Sequence, residues 1–314
     1  MKVVLLAGGT GGAKLAHGFQ QVLPPGDLTV IVNVADDAEP YGLPVSPDLD
    51  TIMYTLAGIA DPVQGWGVAG DTTRALDMLR RYGADTWFTV GDADLATHLR
   101  RQQLLRQGLT LTDATASMAA ALGVPSRLLP ITDDRVRTMV RTDAGELDFQ
   151  TYFVRNRQAD QVRGLRLEGI EAARPSPAAL DALAAAELLV IGPSNPLVSI
   201  GPILAVPGVR EAVAGAAVPR IGVSGIVAGR ALRGPADRMM ATLGHEVSAR
   251  GVARLYAGLV DLFVVDAVDA ELAPAIEGLG MRVAVLPTVM EDDAGRAALA
   301  GELLRVAATL SSPA

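Results

Sequence analysis

The chain has 314 residues, half of them hydrophobic, which is enough to build a large core within one elaborate domain. Its formal net charge is −8, so the overall balance argues against a nucleic-acid or anionic-membrane partner. Cysteine is absent and histidine occurs three times, which excludes a disulfide framework, a thiol nucleophile and a thiolate or histidine-rich zinc site. Any metal ion is therefore expected to be hard and oxygen-bound, with Mg²⁺ first.

The chain opens on a short apolar run followed by a cluster of glycines. Residues 3–7 predict a buried strand, and the segment is too short for a signal peptide or a membrane span, so we expect a cytoplasmic protein. From Ala13 the apolar spacing predicts a helix that stops at Pro24. Between them, the glycines of residues 8–12 let the backbone approach a ligand at a helix N-terminus, which favours a phosphate site over a plain tight turn.

This glycine cluster matches neither of the standard phosphate motifs. A P-loop requires Gly-Lys-Ser/Thr, whereas Lys14 is followed by leucine. The dinucleotide pattern G-x-G-x-x-G has that lysine in place of its third glycine. The cluster therefore predicts a phosphate loop of neither standard kind, with the candidate residues Gly9, Thr10, Gly11, Gly12 and Lys14.

Strands and helices alternate along most of the chain. Residues 28–34 predict a second buried strand, so the opening is β-α-β. Later strands are predicted at 87–90, 187–192, 219–225, 261–266 and 281–287. Intervening helices are predicted at 51–60, 71–83, 91–108, 111–123, 176–186, 207–216, 235–257, 270–279 and 293–310. The alternation predicts an α/β fold with a Rossmann-like, doubly wound and mostly parallel sheet.

The middle of the chain departs from this alternation. Residues 127–131, 136–142 and 147–154 predict short strands, with a hairpin turn at 143–145. Residues 155–168 are charged and predict a surface crossover. We therefore expect one Rossmann-like domain over residues 1–314, with a partly helical inserted subdomain at about residues 90–160.

Aspartates follow the second predicted strand, at the sheet edge where doubly wound folds bind ligands. Asp36 and Asp37 fit a ribose-binding acid, a metal ligand or ordinary turn chemistry. Asp48 and Asp50 lie two residues apart, and in an extended stretch both would face one side and share a divalent ion or a substrate hydroxyl. The alternative for Asp50 is capping of the helix that follows.

Two further polar segments follow predicted strands. Asp94 and His98 have the i, i+4 spacing of one helix face, which fits a metal pair or, more simply, a helix-start aspartate and an ordinary histidine. Ser194 and Asn195 lie in the rigid segment GPSNP. Their small polar side chains suit hydrogen bonding to a base, sugar or phosphate, and they would also suit a plain turn.

These segments, in this order, resemble the 2-phospho-L-lactate transferase family of deazaflavin coenzyme F-420 biosynthesis. The resemblance covers essentially the whole chain, and its specific parts are PDLDT, GD.DLATH and GPSNP with SIGPIL. It rests on the segments GGTGGAKL, NVADD, VSPDLDTIMYTLAG, WG…GDT, WF..GD.DLATH, LLPITDD.VRT, FQ.YFV, GPSNPLVSIGPIL and GPA…M.

The resemblance implies a Rossmann-like core with an insertion, a homodimer and a requirement for Mg²⁺. It further implies a transferase that moves a phosphorylated three-carbon acid from its guanosine diphosphate ester to the 5′-hydroxyl of the deazaflavin Fo, with release of GMP. The acid would be 2-phospholactate, phosphoenolpyruvate or 3-phosphoglycerate. Phosphoryl transfer depends on charge neutralisation and in-line placement more than on a protein nucleophile, so the lack of cysteine is no obstacle.

The resemblance also implies roles for single residues. Asp50 would contact both the ribityl end of Fo and the metal ion, and Thr89 would be a further Fo contact. The glycine loop and the GPSNP segment would hold the guanosine diphosphate. The resulting predictions are catalytic roles for Asp50, Asp48 and Asp36, Fo contacts from Asp50, Thr89 and Asp92, nucleotide contacts from the glycine-loop residues with Ser194 and Asn195, and metal binding by Asp36, Asp37 and Asp50.

One residue departs from the family pattern. The family commonly has arginine between the two acids of GD.D, where this chain has Ala93. The missing positive charge affects how the acid or phosphate of the donor is held. We therefore consider Arg100 and Arg101 as compensating cations.

Two other functions compete with the transferase. The gluconeogenesis-factor family of nucleotide-sugar-binding regulators is similar at GGTG and VADD, and its members bind ligands without this transfer. A nicotinamide-dependent oxidoreductase is the second alternative, against which the failed third glycine argues. The segments VSPDLDT and GD.DLATH favour the transferase.

Overall fold

The computed structural model describes residues 1–310, so the last four residues of the predicted domain lie outside the described residues. Within this range the strands are β1 (Val3–Ala7), β2 (Leu28–Val32), β3 (Arg127–Pro130), β4 (Arg137–Thr142), β5 (Gly145–Asp148), β6 (Val162–Glu168), β7 (Leu188–Ile191), β8 (Arg220–Val223), β9 (Ile226–Val227), β10 (Arg230–Ala231), β11 (Leu262–Val265) and β12 (Arg282–Val285). The α-helices are α1 (Gly9–Val22), α2 (Pro47–Leu56), α3 (Arg74–Arg81), α4 (Asp92–Arg106), α5 (Leu111–Ala121), α6 (Pro177–Ala184), α7 (Ile200–Ala205), α8 (Val209–Ala214), α9 (Ala236–Thr242), α10 (Ala249–Leu255), α11 (Ala273–Glu277) and α12 (Asp293–Leu310). Short helical turns of other types lie at Pro40–Gly42, Thr151–Arg155 and Ala267–Leu272.

A seven-stranded parallel sheet forms the centre of the fold, in the order β3-β2-β1-β7-β8-β11-β12. Strands β1, β2 and β7 are buried along their whole length, as expected where helices cover both faces of a parallel sheet. The chain winds outward from β1 to β3 and then in the opposite direction from β7 to β12. Right-handed crossovers place α1 and the α7–α8 pair on opposite faces. The predicted doubly wound, Rossmann-like fold is confirmed.

The winding reverses between β1 and β7, and this reversal positions the site. Ligands of open α/β sheets bind beyond the carboxyl ends of strands at such a reversal. Gly8 follows β1 directly, and Gly192 follows β7. The Gly8 N–H donates to Ser194 Oγ at 3.1 Å, so the glycine cluster and the GPSNP segment meet at this crevice.

The glycine cluster forms the first turn of α1 instead of a turn that precedes it. Helix α1 begins at Gly9, four residues before the predicted start at Ala13. Gly9 has a positive φ of 61°, which turns the chain from β1 into the helix. A side chain at Gly11 would collide with the carbonyl oxygen of Pro193, so glycine there lets the two loops approach closely.

A small antiparallel sheet, β5-β4-β6, lies outside the central one. The hairpin between β4 and β5 turns at residues 143–144, so the predicted hairpin is confirmed. The surface crossover expected over 155–168 is wrong, because this stretch contains β6. Its charges form the exposed face of the strand: Arg163 pairs with Asp143 at 2.6 Å and Arg166 with Glu146 at 2.7 Å. A β-bulge in the pairing with β4 leaves Arg163 as an extra residue, and this interrupts the alternation that marks a strand.

One predicted strand is absent from the described residues, and the one predicted over 147–154 keeps only its first two residues, in β5. Residues 87–90 lie in a loop, where the hydroxyl of Tyr41 donates to the carbonyl oxygen of Phe88 in place of a strand neighbour. Residues 149–155 form helical turns, not a strand, because Phe149 and Phe153 have the i, i+4 spacing that stacks their rings on one face. Aromatic residues favoured a strand in both places, but the i, i+4 spacing of Phe149 and Phe153 is that of a helix.

The predicted helix over 235–257 and the predicted insertion also differ from the structure. The helix is divided into α9 and α10, with Gly244 at a φ of 78° between them. The segment 90–160 includes β3, which pairs with β2 in the central sheet. Two excursions therefore leave the sheet, one between β2 and β3 and the other between β3 and β7.

Among the described residues, no helix combines the length and the apolar character needed to cross a membrane. The main apolar cluster joins the central sheet to its covering helices, including α1, α2 and α12. A second apolar cluster, around Val140 and Tyr152, fixes the small sheet to the loop after β7 through Val198. Both excursions are thus anchored beside the crevice.

Candidate active site

A cavity of about 500 Å³ extends from the crevice between the two excursions. One wall is apolar and aromatic: the rings of Phe149 and Phe153 stack with centroids 5.4 Å apart and planes 8° apart. Trp66 and Phe88 line the cavity from other loops. Its polar lining includes four carboxylates, those of Asp36, Asp48, Asp50 and Asp94. Planar apolar surfaces combined with a few polar groups are typical of a small-molecule site.

Asp48 connects helix α2 to the glycine turn. Its Oδ1 accepts the backbone N–H of Gly9 at 2.8 Å, and its Oδ2 accepts the side-chain amide of Asn33 at 3.0 Å. Asn33 follows β2 and also donates to the carbonyl oxygen of Val198 at 3.2 Å. The carboxylate is therefore held by two neutral donors, from the segments that follow β1 and β2.

Asp36 and Asp48 form a buried acidic pair. Burial raises the pKa of Asp36 well above its usual range, and the neighbouring charge of Asp48 raises it further. Burial likewise raises the pKa of Asp48 to about 6, against the lowering effect of its bonds from Asn33 and Gly9. Among the described residues Asp36 Oδ1 is buried without a hydrogen-bond partner. An added cation would relieve both the desolvation and the repulsion.

Asp50 lies on the other face of α2. Successive helical residues are rotated by about 100°, so side chains two positions apart point in nearly opposite directions. The prediction that Asp48 and Asp50 share one side in an extended stretch is therefore wrong, as is helix capping by Asp50, since the cap position is Ser46. Asp50 forms a buried ion pair with Arg101 on α4.

Asp94 and His98 join the same buried cluster from α4. His98 Nε2 lies 3.4 Å from Asp94 Oδ1, and its Nδ1 lies 3.7 Å from Asp50 Oδ2. The hydroxyl of Tyr54 donates to Asp94 at 2.7 Å. Burial by itself raises the pKa of Asp94, but its hydrogen bond with His98 and the charge of that residue leave the pKa lowered. The cluster supports the wall of the cavity next to Asp50.

Two of the predicted aspartates lie away from this cavity. Asp37 accepts from the hydroxyl of Ser46 at 2.7 Å and lines a separate cavity of about 400 Å³. Asp92, predicted to contact Fo, instead accepts the backbone N–H groups of Arg74 and Ala75 at the start of α3. Thr89, the other predicted Fo contact, does line the large cavity.

The predicted metal ligands do not form a complete protein site. Within residues 1–310, no group of three or more His, Cys, Asp or Glu side chains is arranged to hold a metal ion. Asp36 faces the large cavity, Asp37 faces the separate one, and Asp50 is paired with Arg101. A cation here would need ligands from a substrate as well as from the protein.

A smaller cavity of about 240 Å³ is lined by Thr10, Gly11 and Lys14 at the start of α1. Since α1 begins at Gly9, the backbone N–H groups of Thr10 and Gly11 have no acceptor within the helix. Lys14 Nζ donates to the carbonyl oxygen of Met290 at 2.7 Å, and burial, followed by nearby arginine charges, lowers its pKa. Free N–H groups at a helix start beside a cation favour an anion.

Ser194 and Asn195 shape the crevice from the β7 side. Ser194 accepts from Gly8, as described above, and Asn195 Oδ1 accepts the backbone N–H of Leu197 at 2.9 Å. Neither side chain lines the large or the small cavity. Their contacts hold the loop conformation that brings Pro193 against the glycine turn.

The sequence alone predicted neither the stacked rings of Phe149 and Phe153 nor the ion pair between Asp50 and Arg101. The i, i+4 spacing of Phe149 and Phe153 was the signal for the wall. Arg101 was considered only as a contact of the donor substrate, because nothing in the sequence indicates that it pairs with Asp50. Asp94 and His98 were recognised as a helix-face pair, but Tyr54 was not connected with them.

The fold and the site define a doubly wound α/β protein with a large aromatic, carboxylate-lined cavity and a smaller cavity at the glycine-rich start of α1. Residues 3–277 match the family model described as 2-phospho-L-lactate transferase CofD. The chain therefore belongs to the 2-phospho-L-lactate transferase family. It is a transferase of coenzyme F-420 biosynthesis, as predicted, and nothing in the comparisons favours the regulator alternative.

Several known proteins resemble the chain over nearly its whole length. A phosphoenolpyruvate transferase from Streptomyces griseus is 44% identical, covering 98% of both chains. A 2-phospho-L-lactate transferase from Methanosarcina mazei is 37% identical, covering 92% of this chain and 94% of the relative. A solved structure of a UPF0052 family member from Bacillus halodurans has a TM-score of 0.62 at 17% identity, covering 96% of this chain and 98% of that one, which shows a shared fold alone.

Proposed function

We propose that the acid transferred by this enzyme is phosphoenolpyruvate, moved from its guanosine diphosphate ester to the 5′-hydroxyl of Fo with release of GMP. Relatives named phosphoenolpyruvate transferase, from Streptomyces griseus and Streptomyces coelicolor, are 44% and 42% identical to this chain, against 37% for the named 2-phospho-L-lactate transferase. The observation that carries the site assignment is the link between two cavities: Asp48, which lines the large cavity, accepts the N–H of Gly9, and the next residues of the glycine turn line the smaller one. One suits a planar acceptor, and the other suits a phosphorylated donor.

Fo is assigned to the large cavity. A tricyclic deazaflavin is planar and largely apolar, which matches the stacked rings of Phe149 and Phe153. Its ribityl chain carries hydroxyls, which match the carboxylates at the crevice. Asp50 and Thr89 both line the cavity and are the proposed hydroxyl contacts.

The guanosine diphosphate is assigned to the smaller cavity and the start of α1. Its phosphates would accept the backbone N–H groups of Thr10 and Gly11, which have no acceptor within the helix, and the helix dipole would add to the attraction. Lys14 contributes a cation at the same cavity. Ser194 and Asn195 act indirectly in this proposal, by holding the loop that faces the glycine turn.

The reaction forms one bond to phosphorus and breaks another. The 5′-hydroxyl oxygen of Fo attacks the phosphorus atom that carries the three-carbon acid, and the bond from that phosphorus to the oxygen of GMP breaks. Asp50 accepts the hydrogen bond of the attacking hydroxyl, orients it and takes its proton as the new bond forms. The products are the Fo phosphodiester and GMP.

The acidic pair of Asp36 and Asp48 fits a divalent cation. Mg²⁺ is commonly held by one or two carboxylates together with substrate phosphates, and these two carboxylates have raised pKa values and no cationic partner among the described residues. Bound there, Mg²⁺ would neutralise charge on the diphosphate. Asp50 and Asp37 are weaker candidates for Mg²⁺ ligands, because Asp50 is paired with Arg101 and Asp37 accepts a hydrogen bond from Ser46.

The proposal extends to assembly and location. We expect a homodimer on the basis of the family resemblance, and a cytoplasmic enzyme whose partners are its two substrates. The net charge of −8 supports the absence of nucleic-acid and membrane partners.

Product mass after incubation with Fo, Mg²⁺ and each guanosine-diphosphate-linked acid separately tests the proposal. We expect an Fo phosphodiester and GMP, formed fastest from the phosphoenolpyruvate donor. Preferred use of the phospholactate or phosphoglycerate donor would overturn the choice of acid while leaving the transferase. No product from any donor, with Fo binding still visible by its fluorescence, would contradict the transfer itself.

A further inference from the structure

The largest fully buried side chain in the described part of the chain is a cation, Arg101, which is only 1% exposed. Burying a guanidinium is strongly unfavourable unless it is paired and hydrogen-bonded. Apolar packing alone therefore does not favour arginine at this buried position on α4. The contacts of Arg101 indicate what the charge does.

Arg101 contacts Asp50 with two nitrogens. Its Nη1 donates to Asp50 Oδ2 at 3.2 Å, and its Nη2 donates to Asp50 Oδ1. Nη1 also donates to the carbonyl oxygen of Pro44 at 3.1 Å and lies 3.3 Å from His98 Nδ1. A two-point contact between guanidinium and carboxylate fixes the plane of the carboxylate as well as its position.

Arg101 is separated from the large cavity by Asp50. Asp50 lines that cavity, whereas Arg101 lines the separate one of about 400 Å³. Arg101 therefore has no surface on the cavity assigned to Fo, and its effect on a ligand there passes through the neighbours that line it, Asp50 with two contacts and His98 with one. Its neighbour Arg100 is exposed and donates to Gln103 at 2.7 Å. The sequence presented both arginines as candidate contacts of the donor substrate, but Arg100 is exposed and Arg101 is buried.

We propose that Arg101 is a positioning residue that holds the Asp50 carboxylate in the orientation needed to receive the acceptor hydroxyl. The proposal rests on the proposed function, in which Asp50 orients that hydroxyl. With the guanidinium fixed on the α4 side of the carboxylate, the remaining lone pairs of Asp50 are directed toward the cavity. Lysine cannot replace this contact fully, because an ammonium group makes point contacts without fixing the plane.

The test compares Arg101→Met and Arg101→Lys with wild type, with Arg100→Met as the matched control on the same helix. Steady-state kinetics give kcat and KM for both substrates. We expect Arg101→Met to lower kcat by roughly 100-fold, the scale of a misplaced catalytic group, while KM for the donor changes less than about twofold. Arg101→Lys should recover only part of the loss, and Arg100→Met should behave as wild type.

A double-mutant cycle with Asp50→Asn separates positioning from folding. Arg101→Met alone leaves Asp50 buried and unpaired, so its Tm should fall, whereas the double variant removes both charges and should recover Tm. In the Asp50→Asn background, Arg101→Met should cost less than about twofold in kcat, because the residue through which it acts is already changed. If Arg101→Met does not fold, Arg101→Lys and the double variant still supply the comparison.

Three results would overturn the proposal. A folded Arg101→Met enzyme with normal kcat would remove the positioning role. Multiplicative losses in the double variant would show that Arg101 acts independently of Asp50. A raised donor KM with unchanged kcat would make Arg101 a donor contact. Failure of the proposed function is distinguishable from all three, since wild-type enzyme would then form no Fo phosphodiester.

Discussion

The two faces of helix α2 present the same side chain to opposite electrostatic surroundings. On the face toward the central sheet, Asp48 is held by the neutral donors of Gly9 and Asn33 and lies beside a second acid, Asp36. On the face toward α4, Asp50 is paired with the guanidinium of Arg101. One carboxylate thus lacks a cationic partner among the described residues, and the other has one built in.

This difference indicates how one short segment can serve two purposes. A carboxylate pair without a cation is suited to receive one from outside, together with the phosphates of a donor. A carboxylate already neutralised by arginine keeps a fixed direction and suits a hydroxyl of the acceptor. The four predictions that follow separate the two faces by their effects on activity and stability.

Asp50→Asn should have the largest effect. It removes the proposed hydroxyl contact and leaves Arg101 buried without a charge partner, so kcat should fall at least about 100-fold and stability by about 3–5 kcal/mol. Denaturant unfolding measures the stability, and kinetics at a temperature where the variant is folded measure the activity. Near-normal turnover would exclude Asp50 as a key group.

Asp48→Asn should lower activity with a much smaller effect on stability. Asparagine can still accept from Gly9 but loses the bond from Asn33, and this loss is offset by removal of one charge of the acidic pair, so Tm should change little. The Mg²⁺ concentration for half-maximal activity should rise by roughly tenfold or more. A Mg²⁺ titration of kcat checks this, and an unchanged requirement would place the cation elsewhere.

Asp36→Asn should reveal the acidic pair through the pH dependence of stability. The folded-state pKa values of Asp36 and Asp48 are raised above the unfolded value, Asp48 to about 6. The folded state therefore binds protons more tightly, and the pair destabilises it increasingly as pH rises from about 4 through 6. Without added metal, the variant should exceed wild type in Tm at pH 8 and match it below pH 4. A constant difference across this range would argue against the raised pKa values.

Asp92→Asn should have the smallest effect. Asp92 accepts backbone N–H groups at the start of α3 and does not line the large cavity. Tm should fall slightly, since asparagine keeps one acceptor oxygen, and the Kd for Fo should match that of wild type. Fluorescence titration with Fo measures the latter. A clearly weakened Fo affinity would restore Asp92 as a substrate contact.

Most strands of the central sheet were predictable because their signals are local, whereas β3 was assigned to the insertion. Strands such as β1 and β7 are short apolar runs, and the glycines that follow β1 mark the turn into α1. The chain order of strands and helices then sets the doubly wound topology, which places Gly8 and Ser194 at one crevice. These strands and turns were predicted from residues that are close together in the sequence.

The partners of the aspartates were not predictable in the same way. Whether Asp48 and Asp50 share a side depends on whether residues 47–56 are extended or helical, and the helix reverses the answer. The pairing of Asp50 with Arg101 joins residues 51 positions apart, so no spacing rule indicates it. The family resemblance implied a functional role for Asp50 but gave no reason for its fixed direction.

The most direct test of the difference between the two faces of α2 is an anomalous difference map from crystals grown with guanosine diphosphate and Mn²⁺ in place of Mg²⁺. We expect a manganese peak bound by Asp36, Asp48 or both together with phosphate oxygens, with the Arg101–Asp50 pair intact. A peak bound by Asp50, with Arg101 displaced from it, would contradict the assignment of the cation to Asp36 and Asp48.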